Sequence, residues 1–490
     1  MKRSVFLGYI CAALSFYACD NYLDIIPKGE SVLNSTDDYL GLLEDMYGFP
    51  IDSEWYLSNE VTSYNMELLE NYSGPLSSAG FYWDESFDRA KYMTTTGYAD
   101  FYTSCYSRIA KYNIIVDNME DAEGPAQAKR EGIAQAKILR AYNYFVLINT
   151  FAKPYDPATA ETDRGIILRS EFDMETPGVQ SYVADAYRFI EQDIREALPG
   201  LPSIALNTFR PDKSFGYALQ AKVHLFKREI NQALEASLTA IQEAEDNGNH
   251  KLWDMNVEYQ NAVNYAVNTF QWPEFMIQYG GPMYSMFRTM TQSLYLTHDY
   301  SDAENLYYAF GLNSMSPSPS MIRKPVADLF VPEKDLRYTF NMGTMPSRPT
   351  AEEGSVSMNN MMNRWNCGGI KLSEVYLMAA ECYVRNGKIE QALSYLNQLR
   401  KNRIITALYT DLTATSLVEA MTLIREERKR ELMLTLNSFF DMRRFCSEFN
   451  ETLTKKVKGK TYTLSPDSHL LVYPFPVAAM QNSNLIQNSK

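Results

Sequence analysis

The sequence predicts a mainly α-helical protein in which helical pairs form a scaffold that carries long irregular loops and minor β elements. Apolar residues recur at steps of three and four over much of the chain, and short turns separate consecutive helical segments. Two long stretches interrupt this period. Hydrophobic residues make up 46% and charged residues 22% of the 490 positions, a composition typical of a protein that folds outside the bilayer.

The N-terminus has the pattern of an export signal. A Lys-Arg pair precedes the apolar stretch Val5–Ala18, which has the length of a signal-peptide core and is too short to span a bilayer. The residues Phe-Tyr-Ala-Cys that end at Cys19 resemble a loose bacterial lipobox, with bulkier residues than usual before Ala18. We therefore predict a signal peptide over residues 1–18 and lipidation of Cys19, with ordinary secretion as the alternative.

Two amphipathic helices follow in the first half of the chain. A helix is predicted over residues 100–119 because its apolar residues fall on one face, namely Phe101, Cys105, Ile109, Tyr112 and Val116. A second helix is predicted over residues 126–151 after the turn at Gly124-Pro125. From Ile138 onward it is apolar on most of its circumference, which predicts a central position, and the short link predicts antiparallel packing.

Three further helices are predicted over residues 182–198, 216–227 and 231–245. Pro199 and Pro202 end the first of them. The third carries a narrow stripe of mostly small residues, which suits close helix packing. The residues of this stripe are Ala233, Leu234, Ser237, Ala240, Ile241 and Ala244.

The C-terminal part repeats the helical pair. A helix over residues 370–385 ends at Asn386-Gly387, where glycine permits a left-handed stop, and the apolar stripe restarts at Ile389. Helix, tight turn and helix of this size resemble tetratricopeptide units. We therefore predict a scaffold of tetratricopeptide-like pairs.

Two stretches, residues 51–87 and 253–369, mix Pro, Gly, Ser and aromatic residues with little helical period. We interpret them as loops and short elements packed on the helical frame. Long loops on a rigid scaffold usually carry binding sites.

Composition and spacing exclude several functions. The formal charge of −14, from 60 acidic and 46 basic residues, would repel nucleic acid and other polyanions. The four histidines lack any metal-ligand spacing, and no nucleophile or nucleotide-binding signature occurs, so we predict no catalytic site, cofactor or metal. Cys105, Cys367, Cys382 and Cys446 are irregularly spaced, which favours buried free thiols. The charged run 425–431 is interpreted as a salt-bridged helix rather than an anion site.

Six segments follow one another along almost the whole mature chain, namely CDNYLDIIPK, AKILRAYNYFVLINTFAKPYD, TDRGIILRSEF, IKLSEVYLMAAECYVRNGKIEQALSYLNQLRKNR, REERKRELMLTLNSFFDMRRF and YPFPVAAMQNSNLIQN. Together and in this order they resemble the SusD/RagB family of glycan-binding proteins. One departure is Leu436-Asn437, where the family more often has Gly-Arg or Gly-His, in a segment that we interpret as structural.

The resemblance implies a lipid-anchored protein at the outer surface of the outer membrane. It implies pairing with a SusC-like TonB-dependent β-barrel transporter, which such lipoproteins cap as a lid, and uptake of an oligosaccharide, with an oligopeptide as the alternative ligand. We expect one domain over residues 19–490, with helical pairs in 19–250, a loop-rich ligand-binding insertion in 251–369, and a helical pair and tail in 370–490.

A sugar ring stacks its apolar face on an aromatic side chain, while its hydroxyls need polar partners. We therefore predict ligand-binding residues among the loop aromatics and their polar neighbours. They are Asn65, Trp83, Trp272, Tyr284, Arg364 and Trp365. A packing role is the alternative for each tryptophan, and most of all for Trp83.

Overall fold

The protein is described by a computed structural model, which is mainly helical. It describes residues 33–44, 48–49, 58–63, 74–93, 96–173, 175–294, 301–309, 321–342, 354–357, 366–433, 435–481 and 483–490. The helices up to residue 247 are α1 (Thr36–Gly41), α2 (Pro75–Tyr82), α3 (Thr96–Asn118), α4 (Ala126–Phe151), α5 (Val183–Ala197), α6 (Lys213–Phe226) and α7 (Ile230–Asn247).

The later helices are α8 (Met255–Phe270), α9 (Glu274–Ile277), α10 (Tyr284–Leu294), α11 (Lys324–Ala327), α12 (Leu336–Asn341), α13 (Leu372–Arg385), α14 (Ile389–Lys401), α15 (Leu417–Glu431), α16 (Asn437–Phe449) and α17 (Val477–Gln481). The strands are β1 (Thr62–Ser63), β2 (Arg164–Ile167), β3 (Gln180–Tyr182), β4 (Asn305–Tyr307), β5 (Met321–Ile322), β6 (Val356–Ser357), β7 (Ile370–Lys371), β8 (Leu453–Val457) and β9 (Lys460–Leu464).

Helix α4 is the centre of the fold, as its sequence predicted. Every residue from Ile138 to Phe151 is buried, because α3 and α5 both pack against it. Its neighbours belong to one apolar cluster that extends from Tyr39 in α1 to Leu485 near the C-terminus. The central position follows from a helix that is apolar on most sides and must be covered on more than one.

The two helical pairs, α6 with α7 and α13 with α14, confirm the tetratricopeptide-like pattern. Buried small residues line the packed face of α7, among them Ala233, Ser237 and Ala240, so α6 and α13 both approach this helix closely. Gly387 has a φ of +77°, the left-handed conformation that ends α13.

The interpretation of residues 253–369 as loops and short elements is wrong for part of this stretch. Helix α8 has 16 residues and α10 has 11. The buried face of α8 does follow the helical period, since Met255, Ala262, Val263 and Ala266 are all buried. Four asparagines and few strong helix formers masked this signal, and tertiary packing overrides their low propensity.

The sheets are small and join distant parts of the chain. Strand β5 pairs antiparallel with both β1 and β6, and β2 pairs with β3. Strand β4 pairs with β7, which fixes the insertion to the start of α13. Strands β8 and β9 form a hairpin whose turn residues Lys458 and Gly459 have φ values of +49° and +76°, as a two-residue type I′ turn requires.

Cys105, Cys367, Cys382 and Cys446 are free and buried, which confirms the prediction made for them. None of the helices within the described ranges combines the length and the apolar character that crossing a membrane requires.

Candidate functional site

Trp272 and Tyr284 lie together in a compact helical unit formed by α8, α9 and α10, residues 255–294, which we call the aromatic module. Its small apolar core contains Ala262, Val263, Ala266, Ile277 and Phe287. Trp272 and Tyr284 are half-buried and pack against this core with one side of each ring. Both predicted residues therefore lie at the surface of the aromatic module and pack on its own core, which is separate from the main core.

The outer face of the aromatic module exposes large apolar side chains. Tyr265 is 37% exposed, Phe270 45%, Phe275 67%, Tyr279 49% and Met286 58%. A soluble protein seldom clusters such residues at its surface unless the surface binds something. Trp272 and Tyr284 were predicted from the sequence but these neighbours were not, because α8 was not recognised as a helix and the sequence does not show which side chains of a helix stay uncovered.

Ring contacts connect the predicted residues to the exposed ones. The rings of Phe270 and Trp272 are stacked with centroids 4.9 Å apart, and Tyr265 meets Phe270 edge-on at 5.7 Å. Tyr279 meets Tyr284 edge-on at 5.0 Å. The face thus carries two aromatic groups of the kind that stack on flat apolar surfaces.

Backbone turns place these rings. Gln271 ends α8 with a φ of +55°, so the chain reverses and Trp272 returns onto Phe270 in the last turn of the helix. Pro273 then starts α9, and Gly280, with a φ of +79°, lies between Tyr279 and α10. The two aromatic groups therefore occupy the two ends of the α8 to α10 connection.

Polar contacts fix Tyr284. Its hydroxyl oxygen lies 3.2 Å from the Oγ1 of Thr339, and the guanidinium of Arg288 lies 5.8 Å from its ring centroid. Arg288 is itself held by the carbonyl oxygens of Tyr338 and Thr339. Burial raises the pKa of Tyr284, so its hydroxyl stays neutral and remains a donor. A ring fixed in this way presents its face to a ligand at little entropic cost.

Trp83, which was predicted to bind ligand, is buried. Its side chain is only 4% exposed, and its indole N–H donates to the carbonyl oxygen of Ser58 at 2.8 Å. The ammonium of Lys455 lies 3.9 Å from its ring centroid. The structure thus favours the packing role that the sequence left as the alternative for this residue.

Asn65, Arg364, Trp365 and Cys19 lie outside the described residues. The chain after Trp365 is anchored, because the side chain of Asn366 is fully bonded. Its amide nitrogen donates to Asn305 and Tyr307, and its oxygen accepts from the N–H groups of Ala309 and Gly369. The roles of these four residues remain predictions.

The charged run in α15 forms a buried ion network, and its partners come from distant segments. Glu431 binds Arg403 at 2.8 Å and Arg337 at 2.9 Å, while Arg403 also binds Glu304 at 2.6 Å. Glu427, fully buried, binds Arg337 at 2.7 Å and Arg430 at 2.6 Å. The salt-bridged helix predicted from the sequence is confirmed, but its carboxylates face inward and bind other elements.

This network is structural. Burial by itself raises the pKa of Glu427, but Arg337, Arg430 and Arg400 outweigh it and lower the pKa to about 2. The same opposition lowers the pKa of Glu431 well below its usual value. Carboxylates held ionised by several guanidinium groups are poor proton donors, so this site is unsuited to general acid catalysis.

A small cavity of about 50 Å³ adjoins the network and is lined by Trp253, Glu304, Asn341, Lys371 and Arg403, among others. Within the described part of the chain, the Oε2 of Glu304 and the Oδ1 of Asn341 are buried without a hydrogen-bond partner. Buried acceptors of this kind are normally satisfied by internal water. The cavity is therefore best explained as a hydrated part of the network.

Glu191, His224 and Glu229 form a group with the ligand types and spacing of a metal site. The ammonium of Lys227 lies 2.6 Å from Glu191 and 2.7 Å from Glu229. The ammonium of Lys227 balances the charge of the two carboxylates, as a bound metal ion would, so the group is explained as an ion-pair cluster.

Two family profiles match the sequence in separate segments. A SusD family profile matches residues 330–488, and a second profile, described as starch-binding associating with outer membrane, matches residues 22–225. Together the two matches cover most of the chain. A search of curated proteins returned no match.

Several solved structures share the fold over nearly the whole chain. A SusD superfamily protein from Bacteroides thetaiotaomicron has a TM-score of 0.68 and 17% identity, and the match covers 93% of this chain and 100% of that chain. A SusD-like carbohydrate binding protein from Bacteroides vulgatus has a TM-score of 0.60 and 17% identity, covering 93% and 98%. A laminarin binding SusD-like protein has a TM-score of 0.60 and 16% identity, covering 93% and 99%.

Both halves of the sequence match family profiles, and the described helices follow the architecture of these structures. The chain belongs to the SusD/RagB family.

Proposed function

We propose that the chain binds an oligosaccharide at the outer surface of the cell, without changing it chemically, and delivers it to a SusC-like TonB-dependent transporter in the outer membrane. The observation that carries the proposal is the exposed aromatic face of residues 255–294, where stacked and edge-on rings present apolar surface to solvent. The family and the carbohydrate-binding relatives support the same ligand class.

The polar residues of the aromatic module fit a neutral polyol. Gln260, Asn264, Asn268 and Gln271 are exposed on or beside α8, and each carries an amide that both donates and accepts. Sugar hydroxyls also donate and accept, so amides are suitable partners for them. Charged side chains are few here, which disfavours an acidic ligand. Asn65, Arg364 and Trp365, which lie outside the described residues, remain proposed contributors.

Affinity should be modest, on the order of micromolar to millimolar, since an exposed polar ligand must first displace bound water. Weak binding also suits transfer to a second protein.

The ligand class is tested by titration calorimetry. Maltohexaose, laminarihexaose and a pool of oligopeptides are titrated into the wild type and into Trp272→Ala and Tyr279→Ala. We expect heat from a saccharide, weakened about tenfold in both variants because each loses one stacking ring, with the circular-dichroism spectrum unchanged. A response to peptides alone would replace the saccharide with a peptide ligand.

The anchor and the partner need separate tests. Metabolic labelling with a palmitate analogue should mark the wild type and not Cys19→Ser. Affinity purification of the tagged chain from detergent-solubilised outer membranes should recover a TonB-dependent β-barrel. Recovery of an unlabelled chain from the cytosol would contradict the proposed location.

A further inference from the structure

A second surface, distant in sequence from the aromatic module, also has the features of a carbohydrate site. An open groove of about 640 Å³ lies between the end of α2 and the strand β9. One side is formed by Tyr82, Trp83, Asp84, Glu85 and Ser86, and the other by residues 460–463 and Ser465. We call it the Tyr82–Tyr462 groove. Its size is suitable for a short oligosaccharide.

The floor of the groove is rigid. Trp83 is held from below by the carbonyl oxygen of Ser58 and covered by the buried ammonium of Lys455. Lys455 also donates to the carbonyl oxygen of Phe81 at 2.7 Å and is 2% exposed. Lys455 lies opposite Tyr462 in the β8–β9 hairpin. The contacts of Lys455 with α2 and Trp83 therefore also fix the position of Tyr462.

Two tyrosine rings stand at the surface above this floor. The ring centroids of Tyr82 and Tyr462 are 5.0 Å apart, with the ring planes inclined at 42°. Both side chains are half-buried, so part of each ring faces solvent. A pair of fixed aromatic rings with exposed surface is the arrangement on which sugar rings stack.

Polar groups lie beside the rings. Within the described ranges, the exposed side chains of Glu85 and Lys460 make no hydrogen bond or ion pair. Lys460 lies on the same face of β9 as Tyr462, because side chains alternate along a strand, and its ammonium is 5.1 Å from the ring centroid of Tyr462. The carboxylate of Asp84 is oriented by Ser86, whose N–H and hydroxyl donate to its Oδ1 at 3.0 and 2.6 Å. These groups supply donors and acceptors for ligand hydroxyls.

The charge of the groove selects among glycans. Two carboxylates, Asp84 and Glu85, face one ammonium, Lys460, in a chain with a net charge of −14. An acidic polysaccharide would be repelled by this surface, whereas a neutral glycan would not. We propose that the Tyr82–Tyr462 groove is a second binding site, separate from the aromatic module, for a neutral oligosaccharide. The proposal rests on the proposed function.

Two sites on one chain would also change how polymers bind. A polymer that reaches both would bind more tightly than either site alone allows, since the second contact is intramolecular.

Hydrogen–deuterium exchange tests the groove and the module separately. A panel of neutral hexasaccharides (maltohexaose, laminarihexaose and cellohexaose) and an oligogalacturonate hexamer is added to the wild type and to the double variant Trp272→Ala/Tyr279→Ala. We expect a neutral hexasaccharide to slow exchange in residues 82–86 and 460–465 of both proteins. In Tyr82→Ala/Tyr462→Ala this protection should disappear, and affinity at the groove should fall about tenfold or more.

Two controls are matched to the hairpin. Tyr462→Phe keeps the ring and should keep the protection, and so should Lys456→Ala, because Lys456 is exposed on the opposite face of β8 from Lys455. If Tyr82→Ala/Tyr462→Ala loses its circular-dichroism spectrum, Glu85→Ala/Lys460→Ala, which alters exposed residues alone, takes its place.

The outcomes distinguish this proposal from the proposed function. Protection confined to residues 265–286 would overturn the second site and leave the proposed function standing. Protection of the groove by oligogalacturonate alone would overturn the neutral ligand. No protection anywhere with any saccharide would overturn both proposals.

Discussion

Replacing Trp83 with phenylalanine separates a packing role from a ligand-stacking role. The change keeps an aromatic ring at the position but removes the indole N–H that donates to the carbonyl oxygen of Ser58. It also shortens the ring that lies 3.9 Å from the ammonium of Lys455. Both contacts are buried, so neither is replaced by water.

The cost follows from these contacts. A buried carbonyl left without its donor costs about 1 to 3 kcal/mol, and a weaker cation–π contact about 0.5 to 1 kcal/mol. The lost ring volume adds on the order of 1 kcal/mol. The free energy of unfolding should therefore fall by about 3 kcal/mol. With an unfolding entropy of about 1 kcal/mol/K for a chain of this length, the Tm should fall by about 3 °C.

Thermal unfolding by circular dichroism and saccharide titration are measured on the same preparation. We expect the lower Tm together with a hexasaccharide affinity within about twofold of the wild type. Tyr279→Ala provides the matched comparison, because Tyr279 is 49% exposed and its loss should weaken binding with little change in Tm. The reasoning would be refuted by a Trp83→Phe protein that unfolds at the wild-type temperature and binds saccharide tenfold more weakly.

Three further predictions concern the frame. The pKa of Glu427 is lowered to about 2, so its contribution to the free energy of unfolding is complete above about pH 4.5 and is lost as the pH falls through 2. Glu427→Gln should therefore lower the free energy of unfolding by about 3 kcal/mol at pH 7 and by much less near pH 2. Urea unfolding at both pH values measures this difference. Gly387→Ala should lower the free energy of unfolding by about 1 kcal/mol, because a φ of +77° strains any side chain although the space is open; Gly387→Asn should lose less, since asparagine adopts the left-handed conformation more readily than alanine. Burial raises the pKa of the Cys105 thiol to about 11 and that of the Cys382 thiol to about 12. In a Cys11→Ser/Cys19→Ser chain, the remaining thiols should therefore react with Ellman's reagent at pH 8 only after denaturation. Prompt reaction of the native protein would contradict the burial.

The sequence predicted those parts of the fold that depend on local pattern. Helix α4 begins after Pro125 and ends at Phe151, as its period and flanking residues indicated. The left-handed stop at Gly387 was also predictable, because few residues other than glycine adopt that conformation readily. Helix α8 was missed, since its asparagines lower helix propensity and only packing stabilises it.

Partners distant along the chain could not be predicted. The run in α15 indicated ion pairs, but nothing local shows that Glu431 binds Arg337 and Arg403 in other segments. In the candidate site, the burial of each tryptophan could not be predicted either. Trp83 and Trp272 have similar polar surroundings in the sequence, yet one is buried beneath a hairpin and the other lies at the surface of a helical unit.

The four cysteines that the structure describes are all free thiols within the packed interior. Their positions imply that this part of the fold acquires its stability without any covalent cross-link. Folding of the described residues therefore needs neither an oxidant nor a disulfide isomerase, and this part of the fold should form equally well in a reducing medium and in air.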